Sequence, residues 1–372
     1  MNQKVSDCLR GRENNFDFMR FMAALFVIFH HSFYLSPSIH EPLLTFTNEH
    51  YHIGSICVAI FFIISGFLIT RSFDRSRDFL EYVTSRVLRI YPALIIVVFC
   101  TVFIIGPLLT TSSLYDYFTD YTTFKYYYSN TFSVTVQYVL PGVFEHNYEA
   151  RSVNSSLWTL GYELFGYCLV ATIGCFVYKK KRMGILLTLF TLVVFRNKIL
   201  HGSDGNLRTL LFFLWGALIY IYRNKVVLND KIALVAFCLL VINMRYNSSY
   251  IIGMIITSIT LSYVTIYLCF VKTKRLKNFA KYGDFSYGVY IWGFLVQQTV
   301  NLYFPQLSTL AFFLVSASIT LVLAMLSWHF IEKRALMLKN NLKYQQAIAR
   351  RSAQLKERLI SITPALLLRR LG

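Results

Sequence analysis

The chain has 372 residues, 56% of them hydrophobic and 15% charged, with a formal net charge of +19. An ordinary soluble domain carries about 25% charged residues, so this balance excludes an ordinary soluble globular class and points to the membrane. The seven cysteines form no CxxC pair and no Cys/His cluster with metal spacing, which supports neither a disulfide framework nor a zinc site.

Ten apolar runs follow in order, over about 17–36, 53–70, 88–109, 157–178, 183–200, 207–222, 231–243, 249–271, 285–304 and 309–331. A chain in lipid must satisfy its backbone groups internally, so these runs must be helices. The expected fold is all-α: a polytopic membrane bundle of about ten transmembrane helices. Residues 1–16 read as a cytoplasmic segment, 17–335 as the membrane domain and 336–372 as a basic cytoplasmic tail, partly helical. The first run carries Arg20, His30 and His31 and lacks an A-x-A-like cleavage site. It therefore reads as a retained span and not a signal peptide.

The loops set the orientation. With the N-terminus inside, the inner loops hold Arg71, Arg75, Arg77, Arg86 and Arg89, then "KKKR" at 179–182, then Arg223, Lys225 and Lys231, then Lys272, Lys274, Arg275, Lys277 and Lys281. The outer loops hold few cations. This is the positive-inside asymmetry, with both termini cytoplasmic, and it accounts for the basic excess without a nucleic-acid partner. Residues 110–156 make a long outer segment rich in Tyr, Thr and Asn. It is too long for a mere connector and reads either as a cap that touches an acceptor or as a folded lid. The tail over 338–363 reads as a basic helix against the anionic inner leaflet.

Ionisable residues inside spans are costly and default to a functional reading. In "RFMAALFVIFHH", Arg20 and His31 are eleven residues apart, about three turns plus 20° and ~16 Å along a helix. They share one stripe, His31 falling near the bilayer middle, and His30 points elsewhere. Taken alone, the pair reads either as one line of a channel for a long anionic molecule or as a snorkelling anchor and a satisfied core histidine. In "FFIISGFL" (61–68), Ser65 and Gly66 fit close helix packing. In "SRVLRIYP", Arg86 and Arg89 face one side of a helix at the inner boundary; they suit either phosphate contacts or snorkelling. Glu163, in "SLWTLGYE", lies inside a span and needs a partner. It could orient a histidine, act as a base or pair structurally. Asp284 and Ser286 resemble helix-start residues. Gln297 and Gln298 are candidates to line a cavity, and His329 and Glu332 read as inner-boundary anchors.

Together and in order, these segments resemble acyltransferase family 3, the integral-membrane O-acyltransferases. Arg20 and His31 match that family's Arg-x10-His. "FFIISGFL", Arg86-x-x-Arg89 and "SLWTLGYE" match its next motifs, and Tyr287, Tyr290 and Glu332 match its late ones. The resemblance covers roughly residues 14–340. Two positions depart from the pattern: Gly293 replaces a ninth-span histidine, and Arg334 stands where many members have proline.

The resemblance implies an enzyme of the bacterial cytoplasmic (inner) membrane that moves an acyl group, most often acetyl, from acyl-CoA to a carbohydrate hydroxyl. The acceptor would be a lipid-linked or surface glycan such as O-antigen or exopolysaccharide. Acetyl-CoA is the expected co-substrate and no metal is expected; a homo-oligomer is compatible with it. On this reading His31 is the general base or a transient acyl carrier, with Glu163 as its orienting or positioning partner. Arg20, Arg86, Arg89 and Ser65 hold the donor, and Ser65 or a tyrosine steadies the oxyanion. A transporter of a glycan or small anion is the alternative that intramembrane Arg, His and Glu also suit. Against it, no repeat symmetry is visible.

Overall fold

The computed structural model describes residues 1–10, 14–35, 40–76, 78–133, 135–149, 152–176, 208–246, 250–271, 273, 276 and 279–338. Nine of the ten apolar runs coincide with helices: α1 (Phe16–Tyr34), α2 (Ile53–Arg75), α3 (Phe79–Leu109), α4 (Trp158–Phe176), α5 (Arg208–Ile221), α6 (Asp230–Tyr246), α7 (Tyr250–Phe270), α8 (Ser286–Tyr303) and α9 (Thr309–Leu338). The fifth run, the "KKKR" cluster and the tail from residue 339 lie outside the described residues. Among the described residues, four helices are long and apolar enough to cross a membrane: α2, α3, α9 and Ile252–Phe270 of α7. The expectations of about ten spans and two cytoplasmic termini reach further than that count.

Local chemistry sets the helix ends. α3 begins nine residues before its apolar run because Asp78 caps it, accepting the Glu81 amide at 2.8 Å. It carries Pro92 in its interior and passes through a π-turn at Thr101–Ile105. α9 passes through a second π-turn at Trp328–Glu332, which turns the Glu332 side chain inward. The fold is not purely helical. β1 (Asn2–Lys4) pairs antiparallel with β2 (Val227–Asn229), Gln3 opposite Leu228. The terminal ammonium of Met1 meets Asp230 at 2.6 Å, so the N-terminus and the α5–α6 loop share one side of the bundle.

α2 is the central helix, packed against α1, α4, α5 and α7. Two glycines let it meet α5 backbone to backbone. A Cβ on Gly66 would stand 1.9 Å from the Phe213 carbonyl oxygen, and one on Gly216 would stand 2.0 Å from that of Ile63. This is the small-residue packing that membrane helices use. α8 is buried along most of its length between α9 and α1.

The outer segment folds as a lid. Its helices Leu114–Thr119 and Tyr121–Phe132 rest on the end of α3, where the Tyr117 hydroxyl donates to the Val102 carbonyl at 2.8 Å. Its return strand is tied to α8. Asn147 Nδ2 donates to the Gln298 carbonyl and to its Oε1 at 2.9 and 2.8 Å. Gln298 Nε2 donates to the Glu149 carbonyl at 3.0 Å, and Asn154 Nδ2 to that of Ile291 at 2.9 Å. Gln298 therefore lines no cavity; it is fully buried and pins the lid to the bundle.

The glycine seam gives the first prediction. Gly66→Ala forces the α2 and α5 backbones apart and costs about 1–3 kcal/mol or more. Thermal unfolding in detergent should show a lowered midpoint, whereas Ser65→Ala, one residue away, should leave the midpoint within a degree or two of wild type.

Candidate active site

Five of the six residues singled out by sequence line one partly open cavity of about 90 Å³: Arg20 from α1, Ser65 from α2, Arg86 and Arg89 from α3, and Glu163 from α4. Tyr167, Tyr287 and Tyr290 complete its polar wall; Val58, Phe61, Phe62, Ile64 and Leu160 supply apolar surface. The "SGFL" motif thus splits by helical phase. Ser65 faces the cavity, and Gly66 faces the α5 seam.

At the inner end sits an ion network. Arg20 Nη1 reaches Asp284 Oδ2 at 3.0 Å, and Arg89 Nη2 bonds the same oxygen. Arg89 Nη1 also stands 3.6 Å from Glu332 Oε2. Asp284 starts α8 as its sequence suggests, accepting the Ser286 amide at 3.2 Å and the Ser286 hydroxyl. Glu332, expected to be a boundary anchor, is instead 2% exposed and takes the Ser327 hydroxyl at 3.1 Å. Arg86 has no carboxylate partner among the described residues. It touches Ser72 Oγ at 3.5 Å, lies over the Tyr167 ring at 5.9 Å, and leaves its buried Nε unbonded. The two α3 arginines are therefore unlike: Arg89 is neutralised in place, and Arg86 has no paired carboxylate among the described residues.

Midway along the cavity, Glu163 Oε1 accepts from Ser65 Oγ at 3.0 Å and from the Tyr167 hydroxyl. Its Oε2 has no protein partner among the described residues. Glu163 is thus not the partner of His31, and Ser65 spends its hydroxyl hydrogen on Glu163. The Tyr290 hydroxyl bonds Thr159 at 2.7 Å, and its ring meets Phe61 edge-on at 5.5 Å in the cavity wall.

His31 does not line this cavity. It lies three residues before the end of α1. Its ring stands edge-on to Phe294 at 5.0 Å. Phe294 is one turn beyond the cavity-lining Tyr290 on α8, ~6 Å along the helix axis, and His31 packs against that next turn. Its buried Nδ1 makes no hydrogen bond, and its polar neighbour is Gln297. The Gln297 amide donates to the Ile28 carbonyl at 2.8 Å and to Ser32 Oγ at 3.1 Å, leaving Oε1 buried and unbonded. Gln297 therefore orients α8 against α1 beside His31 instead of lining a cavity. The missing ninth-span histidine is accounted for by space: a Cβ on Gly293 would already stand 3.0 Å from Ile28 Cγ1.

His30 points away from His31's neighbours, as helical phase predicts, but it does not merely pack. Its Nδ1 meets Glu41 Oε2 at 3.0 Å. Glu41, outside the spans, is 4% exposed. Burial by itself pushes its carboxyl up, and hydrogen bonds with His30, His52 and the Ile53 amide more than offset this and hold it down at about 2. Asp284 and Glu41 were missed as site residues because each acts on partners far away in sequence. The one signal was an acidic residue beside a span.

Residues 13–329 match the family model described as an acyltransferase domain. The chain belongs to acyltransferase family 3. An O-acetyl transferase of Shigella phage Sf6 is 29% identical over 342 residues, covering 87% of this chain and 96% of that protein. Nodulation protein 10 of Rhizobium leguminosarum bv. viciae is 32% identical over 47% of the chain and 48% of its own length. O-acetyltransferase OatA of Staphylococcus aureus is 24% identical over 75% of the chain and 52% of its own length, so the chain spans about half of these two relatives. No solved structure matches. Family and apolar helices together make this an integral-membrane acyltransferase.

The ion network predicts an asymmetric loss. Asp284→Asn leaves two buried guanidinium groups facing each other and should cost about 3–5 kcal/mol, seen as reduced folded yield and a lowered unfolding midpoint. Adding Arg20→Met should recover part of that loss, a coupling that a double-mutant cycle measures.

Proposed function

We propose that the protein is an O-acetyltransferase that takes the acyl group of cytoplasmic acetyl-CoA and places it on a carbohydrate hydroxyl presented at the outer face. The observation that carries this reading is one cavity joining Arg20, Ser65, Arg86, Arg89 and Glu163. A transporter needs no such convergence of family motifs on a pocket that ends inside the bundle.

Arg86 supplies the uncompensated positive charge for donor phosphates at the inner end, and the Asp284-held Arg20 and Arg89 shape that entry. The acyl-pantetheine arm runs outward past Ser65 and Glu163. For the thioester to reach His31, the Phe61–Tyr290 ring pair swings aside. His31 then removes the proton of the acceptor hydroxyl as its oxygen attacks the thioester carbonyl carbon. The C–S bond breaks, and the imidazolium returns the proton to the leaving thiolate. If the two orphaned atoms, His31 Nδ1 and Gln297 Oε1, pair in the reacting state, the Nδ1–H so held leaves Nε2 as the base. Glu163, with Ser65 and Tyr167, positions the arm and takes no part in orienting His31. Ten spans, both termini inside and an inner-membrane location complete the reading, and the lid over 110–149 borders the acceptor's approach.

Three variants test this with purified protein in lipid nanodiscs and mass spectrometry of the acylated glycan. His31→Ala should lower transfer by 10²- to 10⁴-fold or more, with the protein still inserted and still binding acetyl-CoA. Arg86→Ala should raise the donor KM with little change in kcat. Gln297→Ala should lower kcat roughly 10- to 100-fold with donor KM unchanged. Wild-type glycan acetylation by the His31 variant, or donor binding untouched by Arg86→Ala, overturns the reading.

A further inference from the structure

The outer end of α1 carries a second cluster of chemistry-bearing groups. His30 Nδ1 stands 3.0 Å and His52 Nδ1 3.3 Å from one and the same oxygen, Glu41 Oε2. The three donor atoms lie within 4.8 Å of one another. They come from three segments: the end of α1, the outer loop and the residue that precedes α2.

The site is built, not a chance surface grouping. Glu41 is 4% exposed, and its other oxygen, Oε1, accepts the Ile53 amide, so the carboxylate cannot rotate freely. The His30 ring lies flat on Gly54; a Cβ there would be 2.3 Å from Cδ2. Only glycine leaves room for the ring in that orientation. The His52 side chain is 50% exposed and opens the cluster toward the outer solution. Two imidazole nitrogens and one carboxylate oxygen, with a wet side, are the donor set of an open zinc site. With bonds of about 2.0–2.2 Å, tetrahedral ligands stand ~3.2–3.6 Å apart. The His52–Glu41 distance of 3.3 Å falls in that range, the His30–Glu41 distance of 3.0 Å needs only ~0.2 Å of opening, and the exposed His52 ring can close the third edge.

We propose that His30, Glu41 and His52 bind one divalent transition-metal ion of the zinc class, with the remaining position open to water at the outer face. The ion ties the outer loop to the ends of α1 and α2. Because the His30 and His31 rings are 5.4 Å apart, it also fixes the mouth above His31. Residue spacing hid the site: the ligands are eleven residues apart in each step and belong to no motif.

The test uses the full chain without a polyhistidine tag, in nanodiscs, stripped with a chelator and titrated with Co²⁺ and Zn²⁺. One equivalent of metal by mass spectrometry, with tetrahedral Co²⁺ absorption, is expected for wild type, together with a rise in unfolding midpoint on adding Zn²⁺. His52→Ala, a change at a half-exposed side chain that the fold tolerates, and His30→Ala should each weaken binding about tenfold or more. The exposed neighbour His50 serves as control, and His50→Ala should bind as wild type. Absence of bound metal in wild type overturns the proposal and leaves the trio as a hydrogen-bonded clasp. Binding unchanged in both His52→Ala and His30→Ala also overturns it and assigns the ion to other groups. Metal content is read without acyl transfer, so failure here and failure of the acetyltransferase reading are separate results.

Discussion

Asp284 is the residue on which the inner half of the bundle depends. One carboxylate oxygen receives Arg20 from the first helix and Arg89 from the third, and the residue itself starts α8. Buried guanidinium groups without a counter-charge are expensive in a low-dielectric interior. The network of Arg20, Arg89, Asp284 and Glu332 therefore locks α1, α3, α8 and α9 in one arrangement. The cavity exists because these helices are held by their polar ends, leaving Glu163, Ser65 and the tyrosines to line the space between.

That arrangement divides labour among residues that look alike in sequence. Two arginines three residues apart have different fates: Arg89 is consumed in the network, and Arg86, stacked near Tyr167, retains its charge. Two adjacent histidines separate as well, His31 toward Phe294 and Gln297, His30 toward Glu41. Two adjacent residues of "SGFL" part the same way, serine to the cavity and glycine to the helix seam. For the adjacent pairs the 100° step of a helix assigns the two residues to different neighbours.

Membership in acyltransferase family 3 agrees with this geometry, since the family's ordered motifs are the segments that meet around the cavity. His31 and Glu163 stand apart: His31 meets Phe294 and Gln297, and Glu163 meets Ser65 and Tyr167.

The sequence by itself determined nine helices to within a few residues at most ends, because lipid allows a backbone few other solutions and apolar runs declare themselves. Arg20, Arg86, Arg89 and Glu163 stood out as polar groups against an apolar background, whereas Ser65 was singled out only through the family resemblance of "FFIISGFL". The helix-start reading of Asp284 was legible for the same local reason. What the sequence could not decide was pairing. That Asp284 neutralises two arginines, that Glu163 turns to Ser65 and Tyr167, that Gln298 pins the lid and that Glu41 gathers two histidines all join residues from separate segments. The early start of α3 and the small β ribbon escaped hydropathy too, since a capping aspartate and a three-residue strand carry no apolar period. Partner choice in a membrane bundle is set by which helix faces meet, and only the tertiary structure decides that.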